Sequence, residues 1–419
     1  MAGFFMLPDL YFTGAGDSWH DARTMPRQGI AQALVDARNR TLSLLSAFGM
    51  HERNWRLMPS HEFSPPHWTL GNLAWYGEKW CLRDPSEIHG PAGSLWEPAA
   101  PTLLDGADAW FDADRIPPDT RWEIALPELT VIKTYAANTL ERILSRLASE
   151  PEDTDEALEP FRMALFREVF EAEGLIAILQ ALGRPLPGGM ARAPWRGEAD
   201  TLSFAGGRMT LGWDAQQGFS FDNERPAQRT YVPPFEIDAA PVSHRQFLAF
   251  VEDGGYDNPA WWSAAGQQWM MFQERSVARY WSRQREAGRT VRWHMQRFGS
   301  DIVLPLDEPI CHVSLFEAEA WCRWAGRRLP TEDEWEMAAT RNGAFQWGSV
   351  REWTGSVFEP YDGFVPGRDD TWSLPYFGVY QAVRGAAWMT PPAFRNARFR
   401  GAAEPGADLG WIGFRSCAA

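Results

Sequence analysis

The chain changes its hydrophobic period near the middle. From about Gly29 to Gly183, four segments place apolar residues at i, i+3, i+4 and i+7: "IAQALVDARNRTLSLLSAF", "HWTLGNLAWYGEKWCL", "LTVIKTYAANTLERILSRLAS" and "PFRMALFREVFEAEGLIAILQAL". Each spacing lays one apolar stripe along a helix, and four such helices predict a bundle. A long connection, Arg83 to Glu128, joins the second and third. Connections of that size inside compact domains are usually functional or ordered against a neighbour. "GRPLPGGMARAPW", Gly183 to Trp195, is rich in proline and glycine and marks a domain boundary. Beyond it the pattern shortens to strand-like runs, "TLSFAGGRMTLGW" and "RTYVPPFEI". Capping boxes announce two more helices: Ser314 with Glu317 heads "SLFEAEAWCRWAG", and Thr331 with Glu334 heads "TEDEWEMAAT". The expected class is α+β, with an N-terminal arm over 1–25, a helical bundle over 26–183, a linker over 184–195 and a second domain over 196–419. No internal repeat or low-complexity segment interrupts it.

Composition narrows the function classes. At 419 residues two or three domains are expected. Forty basic against fifty-five acidic side chains give a net charge of -15, which disfavours nucleic acid and anionic membranes as partners. Mean hydropathy is -0.38, and no apolar run reaches the roughly 18 residues a spanning helix needs. "MAGFFMLPDLYFTGAGDSWHD" lacks a basic leader and reads as a mobile or docking arm, not a signal peptide. Cys81, Cys311, Cys322 and Cys417 form no CxxC pair; they read as buried thiols of a cytoplasmic protein, without zinc or disulfides. Twenty-three tryptophans beside 36 glycines and 31 prolines point to a loop-rich fold pinned by aromatic rings.

One polar trio stands out. In "LFREVFEAEGLIAILQALGRPLP", Arg167 and Glu171 are four apart and share a helix face. Asn72, in "PPHWTLGNLAWYGEKW", is expected to look into the same bundle. An arginine–carboxylate pair bridged by a facing amide forms a compact cluster. On the residues alone, the alternative is that Arg167 and Glu171 face solvent on a rotated helix.

The second half resembles the formylglycine-generating-enzyme/sulfatase-modifying-factor fold, an irregular C-type-lectin-like domain. The matching blocks run in family order: "GFSFDNERPAQRTYVPPFEIDAAPVSHRQFLAFVEDGGY", "CHVSLFEAEAWCRWAGRRLPTEDEWEMAA", "VREWTGSVFEPYDGF", "VRGAAW" and "WIGFRSCAA". "RGAAWMTPPAFRNARFR" has no cysteine pair where formylglycine generators keep their copper-binding thiols. The first half resembles a DinB-like four-helix bundle. Together the halves are similar to the ergothioneine-type sulfoxide synthases, closest to the selenoneine synthase branch, through "SPPHWTLGNLAWYGEKW", "ADAWFDADRIPPDTRWEIALP" and "ALFREVFEAEGLIAILQALGRP". That resemblance implies a non-haem iron, O₂-dependent enzyme joining a thiol or selenosugar to the imidazole of hercynine. It also implies three iron-binding histidines, in W-x-x-G-H-x-x-W and H-E-x-x-H-x-E helices. Those three positions fall on Asn72, Arg167 and Glu171, whereas Glu168 and Glu173 of the second motif remain.

Iron(II) in such a set is held by neutral imidazoles with open positions for O₂ and substrate. A guanidinium stays protonated and has no lone pair to donate, so no iron cofactor is expected and Arg167 supplies the positive charge itself. The remaining histidines, including His61, His67, His244 and His312, have no i, i+4 pair and read as structural. The resemblance places Arg115 and Arg121 in the cleft for ligand carboxylates, although the pair also balances Asp112, Asp114 and Asp119. It places Tyr361 as a cleft proton donor. Arg351 stands where a tryptophan is common, and Gly401, Ala402 and Ala403 replace a polar and aromatic trio that meets the betaine. Trp347, Trp353, Trp372, Trp388 and Trp411 are candidates for an aromatic wall, each also explicable as a core residue.

Three functions follow. The first is an iron-free relative whose interdomain cleft binds a small molecule or a partner protein. The second is an active iron enzyme forming C–S or C–Se bonds on a hercynine-like betaine. The third is a metal-independent enzyme using Arg167, Glu171 and Tyr361.

Overall fold

The computed structural model describes residues 21–49, 62–83, 100–188, 190, 195, 200–214, 218–286 and 290–419. Its helical region comprises α1 (Arg27–Ser46), α2 (Pro66–Leu82), the short α3 (Ala107–Phe111), α4 (Leu129–Ser149) and α5 (Asp155–Ala181). α2 is buried on nearly every side from Trp68 to Cys81, because α4 and α5 both pack on it and α3 crosses it. Gly71 permits that crossing: a Cβ there would lie 2.1 Å from the Phe111 ring. α5 is started by Thr154, whose hydroxyl accepts from the Ala157 N–H, and by the acids Asp155 and Glu156 in its first turn.

The remainder is mixed strand and helix. β1 (Thr201–Phe204), β2 (Gly207–Leu211), β3 (Gln228–Val232) and β4 (Phe235–Asp238) precede α6 (His244–Glu252) and α7 (Ala264–Gln273). A meander follows, β5 (Trp281–Glu286), β6 (Thr290–Arg297) and β7 (Ser300–Val303), then α8 (Leu315–Trp324), β8 (Arg327–Arg328) and α9 (Glu332–Arg341). β9 (Arg351–Val357), β10 (Gln381–Arg384), β11 (Arg400–Ala403), β12 (Ile412–Phe414) and β13 (Cys417–Ala418) complete the chain. Two four-stranded sheets form, in the orders β1-β4-β13-β8 and β11-β10-β9-β12. The Ser314–Glu317 and Thr331–Glu334 capping boxes head α8 and α9. The sequence reading did not foresee α6 and α7, although Ser243 with Gln246 forms a third capping box at α6. The class is α+β.

One apolar core joins the two regions. Phe166 of α5 contacts Phe219, Phe221 and Phe394 at centroid distances of 5.2, 5.4 and 5.1 Å. Arg23, ahead of α1, reaches Glu224 through two short hydrogen bonds of 2.7 and 2.6 Å. Arg351 of β9 pairs with Glu173 of α5 at 2.9 Å, which sets the β11-β10-β9-β12 sheet against that helix. No helix among the described residues is long and apolar enough to cross a membrane.

Candidate functional site

A cavity of about 450 Å³ opens between α5 and the β11-β10-β9-β12 sheet. α5 contributes Arg167, Phe170, Glu171 and Gly174, the i, i+3, i+4, i+7 stripe of one face. The sheet contributes Arg351, Val383, Arg400 to Ala403 and Ile412. Thr371, Trp372 and Tyr376, from the connection between β9 and β10, close one side.

Arg167 lies at the centre of the polar part. Its Nη2 is 3.4 Å from the Asn72 Oδ1 and 3.2 Å from the Glu171 Oε1. The Asn72 amide donates to the Phe111 carbonyl at 2.8 Å, which fixes its oxygen toward Arg167. The rings of Tyr76 and Trp372 flank the guanidinium, each with its centroid 5.4 Å away. Burial opposes the Arg167 charge, but Glu171, Tyr76 and Asp369 outweigh it and hold its pKa above the ordinary arginine value. Arg167 therefore stays protonated beside Glu171.

Glu173 is engaged differently. Its Oε2 receives the Arg351 Nη2 at 2.9 Å and Nε at 3.2 Å, and its Oε1 receives the Thr390 hydroxyl. Glu168, its neighbour in the family-like motif, turns away to Arg38 with two bonds of 2.9 Å. Arg121, on the short turn Thr120–Trp122, enters the cavity from the opposite side. It donates to the Ile116 carbonyl at 3.1 Å and the Ser64 hydroxyl at 3.0 Å, and lies 4.2 Å from the Trp68 ring centroid. Burial lowers its pKa, and Glu171 partly offsets that. At the rim, Glu62 accepts from the Asp408 and Leu409 N–H groups at 3.3 and 3.1 Å; burial, then the Asp408 charge, push its pKa to about 7.

Several expected site residues lie elsewhere. Arg115 is half-exposed, pairs with Asp112 at 3.0 Å and does not line the cavity, because a short ion pair turns it outward. Tyr361 is corrected too: its ring packs 3.9 Å from the Arg400 guanidinium in the core around Trp335, not in the cavity. Burial and the Glu332 charge raise its phenol far above the tyrosine range, so it holds its proton. Trp411 lines the cavity, with Trp388 behind it at 5.8 Å. Of the other tryptophans, Trp372 faces the cavity, Trp347 packs on Trp335, and Trp353 is core, donating to the Val313 carbonyl at 2.8 Å. Gly401, Ala402 and Ala403 do line it, and their small side chains widen it. His244 packs on Trp281 and His312 on Trp411; His20, His51, His61 and His89 lie outside the described residues.

The sequence reading missed Phe170, Tyr376, Phe399 and Glu62 as cavity residues. Phe170 had a signal, sitting three residues after Arg167 on the same stripe. The others arrive from distant loops and strands and carry no local signal.

The donor set does not suit iron. Arg167 offers no lone pair, and Asn72 and Glu171 offer only hard oxygens beside its fixed charge. Among the described residues, no group of three or more His, Cys, Asp or Glu side chains is placed to hold a metal ion.

Comparison with known proteins adds a lineage. The family described as sulfatase-modifying factor enzyme 1-like domain matches residues 188–349 and 343–419. Hercynine oxygenase of Mycolicibacterium thermoresistibile is 31% identical, with 88% of this chain and 91% of that protein covered. Hercynine oxygenase of Mycobacterium tuberculosis is 32% identical over 90% and 95%. The inactive C-alpha-formylglycine-generating enzyme 2 of Mus musculus is 38% identical, over 37% of this chain and 50% of its own length.

Proposed function

We propose, for a chain that belongs to the hercynine oxygenase family and carries its sulfatase-modifying-factor-like domain, that the cavity beside α5 is a small-molecule site that works without iron. The observation that carries this reading is the Arg167 guanidinium, placed between Asn72 and Glu171 where the resemblance puts iron-binding imidazoles. A bound transition ion and a fixed guanidinium in one place would repel each other, and the guanidinium cannot leave by deprotonation. What the site retains is positioning chemistry: a cation, a carboxylate and a bridging amide, with aromatic walls alongside.

Metal analysis after anaerobic loading with excess Fe(II) and desalting tests this. The expected outcome is iron well below one equivalent, unchanged in Arg167→Gln. Tight stoichiometric iron that responds to substitution of Asn72, Arg167 or Glu171 overturns the reading.

The extent of the match to the hercynine oxygenases, 88% of this chain, favours a second reading: iron-dependent C–S or C–Se bond formation on a hercynine-like betaine. Anaerobic reconstitution with Fe(II), then O₂, hercynine and a thiol or selenosugar donor, separates the two by product formation. A thermal-shift screen of betaines, imidazoles and glycosyl donors follows the binding reading directly, since a ligand at about a hundred times its Kd adds about 2.7 kcal/mol.

A further inference from the structure

Four deeply buried arginines in this protein are held by two-pronged carboxylate pairs. Arg23 meets Glu224 at 2.7 and 2.6 Å, and Arg38 meets Glu168 at 2.9 and 2.9 Å. Arg400 meets Glu332 at 2.6 and 2.9 Å, and Arg415 meets Glu352 at 2.5 and 2.8 Å. Such forks occupy both oxygens of the carboxylate and two nitrogens of the guanidinium. Arg167 is built otherwise. Its closest approaches to Asn72 and Glu171 are 3.4 and 3.2 Å, both through Nη2 and neither two-pronged; its buried Nε, like that of Arg23 and Arg384, has no hydrogen-bond partner. No carboxylate grips Arg167 with both oxygens, so its guanidinium keeps donors for a further acceptor.

The surroundings fit the same incompleteness. Arg121 lines the same cavity; its nitrogens meet the Ile116 and Ala113 carbonyls and the Ser64 hydroxyl, but no carboxylate among the described residues forms a salt bridge with it. The other charges near Arg167 are committed: Glu173 to Arg351 and Thr390, and Asp369 to the Tyr76 and Thr371 hydroxyls at 2.5 and 2.6 Å. Glu171 is the exception, loosely paired and more exposed than Arg167. It is free to yield its place to an incoming anion. Tyr76 and Trp372 confine the guanidinium from two sides, and Phe170, Trp372 and Phe399 offer an apolar wall alongside.

We infer that Arg167, assisted by Arg121, is a receptor for the oxyanion of a small amphiphilic ligand, a carboxylate or a phosphate monoester, whose apolar part lies on the Phe170–Trp372–Phe399 wall, with Glu171 as the intramolecular competitor. This deepens, and rests on, the reading of the cavity as a small-molecule site. Either oxyanion presents two acceptor oxygens to the guanidinium fork, which the existing single-pronged contacts do not.

The full-length chain is titrated with phenylacetate, phenyl phosphate and the neutral phenylacetamide, followed by tryptophan fluorescence and thermal shift. The two anions are expected to bind saturably, with the amide about tenfold or more weaker, the discrimination expected for a charge-assisted pair. Preference between the first two arms identifies the oxyanion. Arg167→Gln is expected to lose about tenfold or more in anion affinity, and Arg121→Gln a smaller factor. Glu171→Gln is expected to bind the anions several-fold tighter, because it removes the competitor while keeping a polar side chain. If Arg167→Gln fails to fold, Glu171→Gln and Arg121→Gln carry the test. Equal binding of the amide, no binding of either anion, or weaker anion binding in Glu171→Gln overturns the inference. Iron content of the same samples is measured separately: stoichiometric iron sinks the iron-free reading, whereas iron-poor protein that ignores the anions sinks only the oxyanion receptor.

Discussion

Arg351 of β9 and Glu173 of α5 meet at 2.9 Å across the cavity, joining the sheet to the helix that carries Arg167. The pair is mostly buried, at 17% and 12% side-chain exposure, and the Thr390 hydroxyl completes the glutamate. Arg351 also lies 5.3 Å from the Phe170 ring centroid and 5.0 Å from that of Phe399, so it shapes the aromatic wall as well as clamping the two regions.

Removing one partner of that pair strands the other. Glu173→Gln and Arg351→Met are each expected to destabilise the protein by about 2–4 kcal/mol, slightly below the cost for a wholly buried pair. The double variant is expected to recover part of that loss. Urea unfolding of the four proteins gives the coupling energy; additivity within about 0.3 kcal/mol would mean the contact is energetically idle.

Gly71 separates packing from polarity. Alanine there would drive a methyl to 2.1 Å from the Phe111 ring and push α3 away, loosening the Phe111 carbonyl that holds the Asn72 amide. Overpacking of this kind is expected to cost about 1–3 kcal/mol. Thermal unfolding reads the loss. A melting temperature equal to wild type would mean the α2–α3 contact adjusts freely.

The cluster at Arg167 is open to reversal. The triple variant Asn72→His, Arg167→His, Glu171→His is expected to gain Co(II) binding, seen as visible d–d absorption absent from wild type, because neutral imidazoles supply the lone pairs that a guanidinium lacks. Co(II) uptake at this site by wild type would contradict the proposed function.

Glu62 sets a pH signature. Its carboxyl is raised from 4.5 to about 7, by burial first and the Asp408 charge second. Over that window the native state keeps a proton that the unfolded chain has released. This group's contribution to stability is therefore complete below the unfolded value and is lost as pH rises through the native one. In Glu62→Gln, the fall in melting temperature between about pH 5 and about pH 8 is expected to be shallower than in wild type. An identical fall would show that Glu62 ionises as in the unfolded chain.

The sequence by itself determined the elements whose information is local. Apolar stripes located α1, α2, α4 and α5, capping boxes located α8 and α9, and the four-residue spacing put Arg167 and Glu171 on one face of α5. Its motifs also located the lineage. Tertiary structure alone decided which side chains share the cavity. Phe399 and Tyr376 reach Arg167's surroundings through strand pairing and a long connection, contacts with no periodic trace in the chain. The same holds for the residues that moved away. Arg115 and Tyr361 have the right chemistry for a cleft, but a short pair with Asp112 turns one outward, and the buried Arg400 guanidinium captures the other. A side chain's type is written in the sequence; the partner it finds depends on which distant segments the core brings within reach.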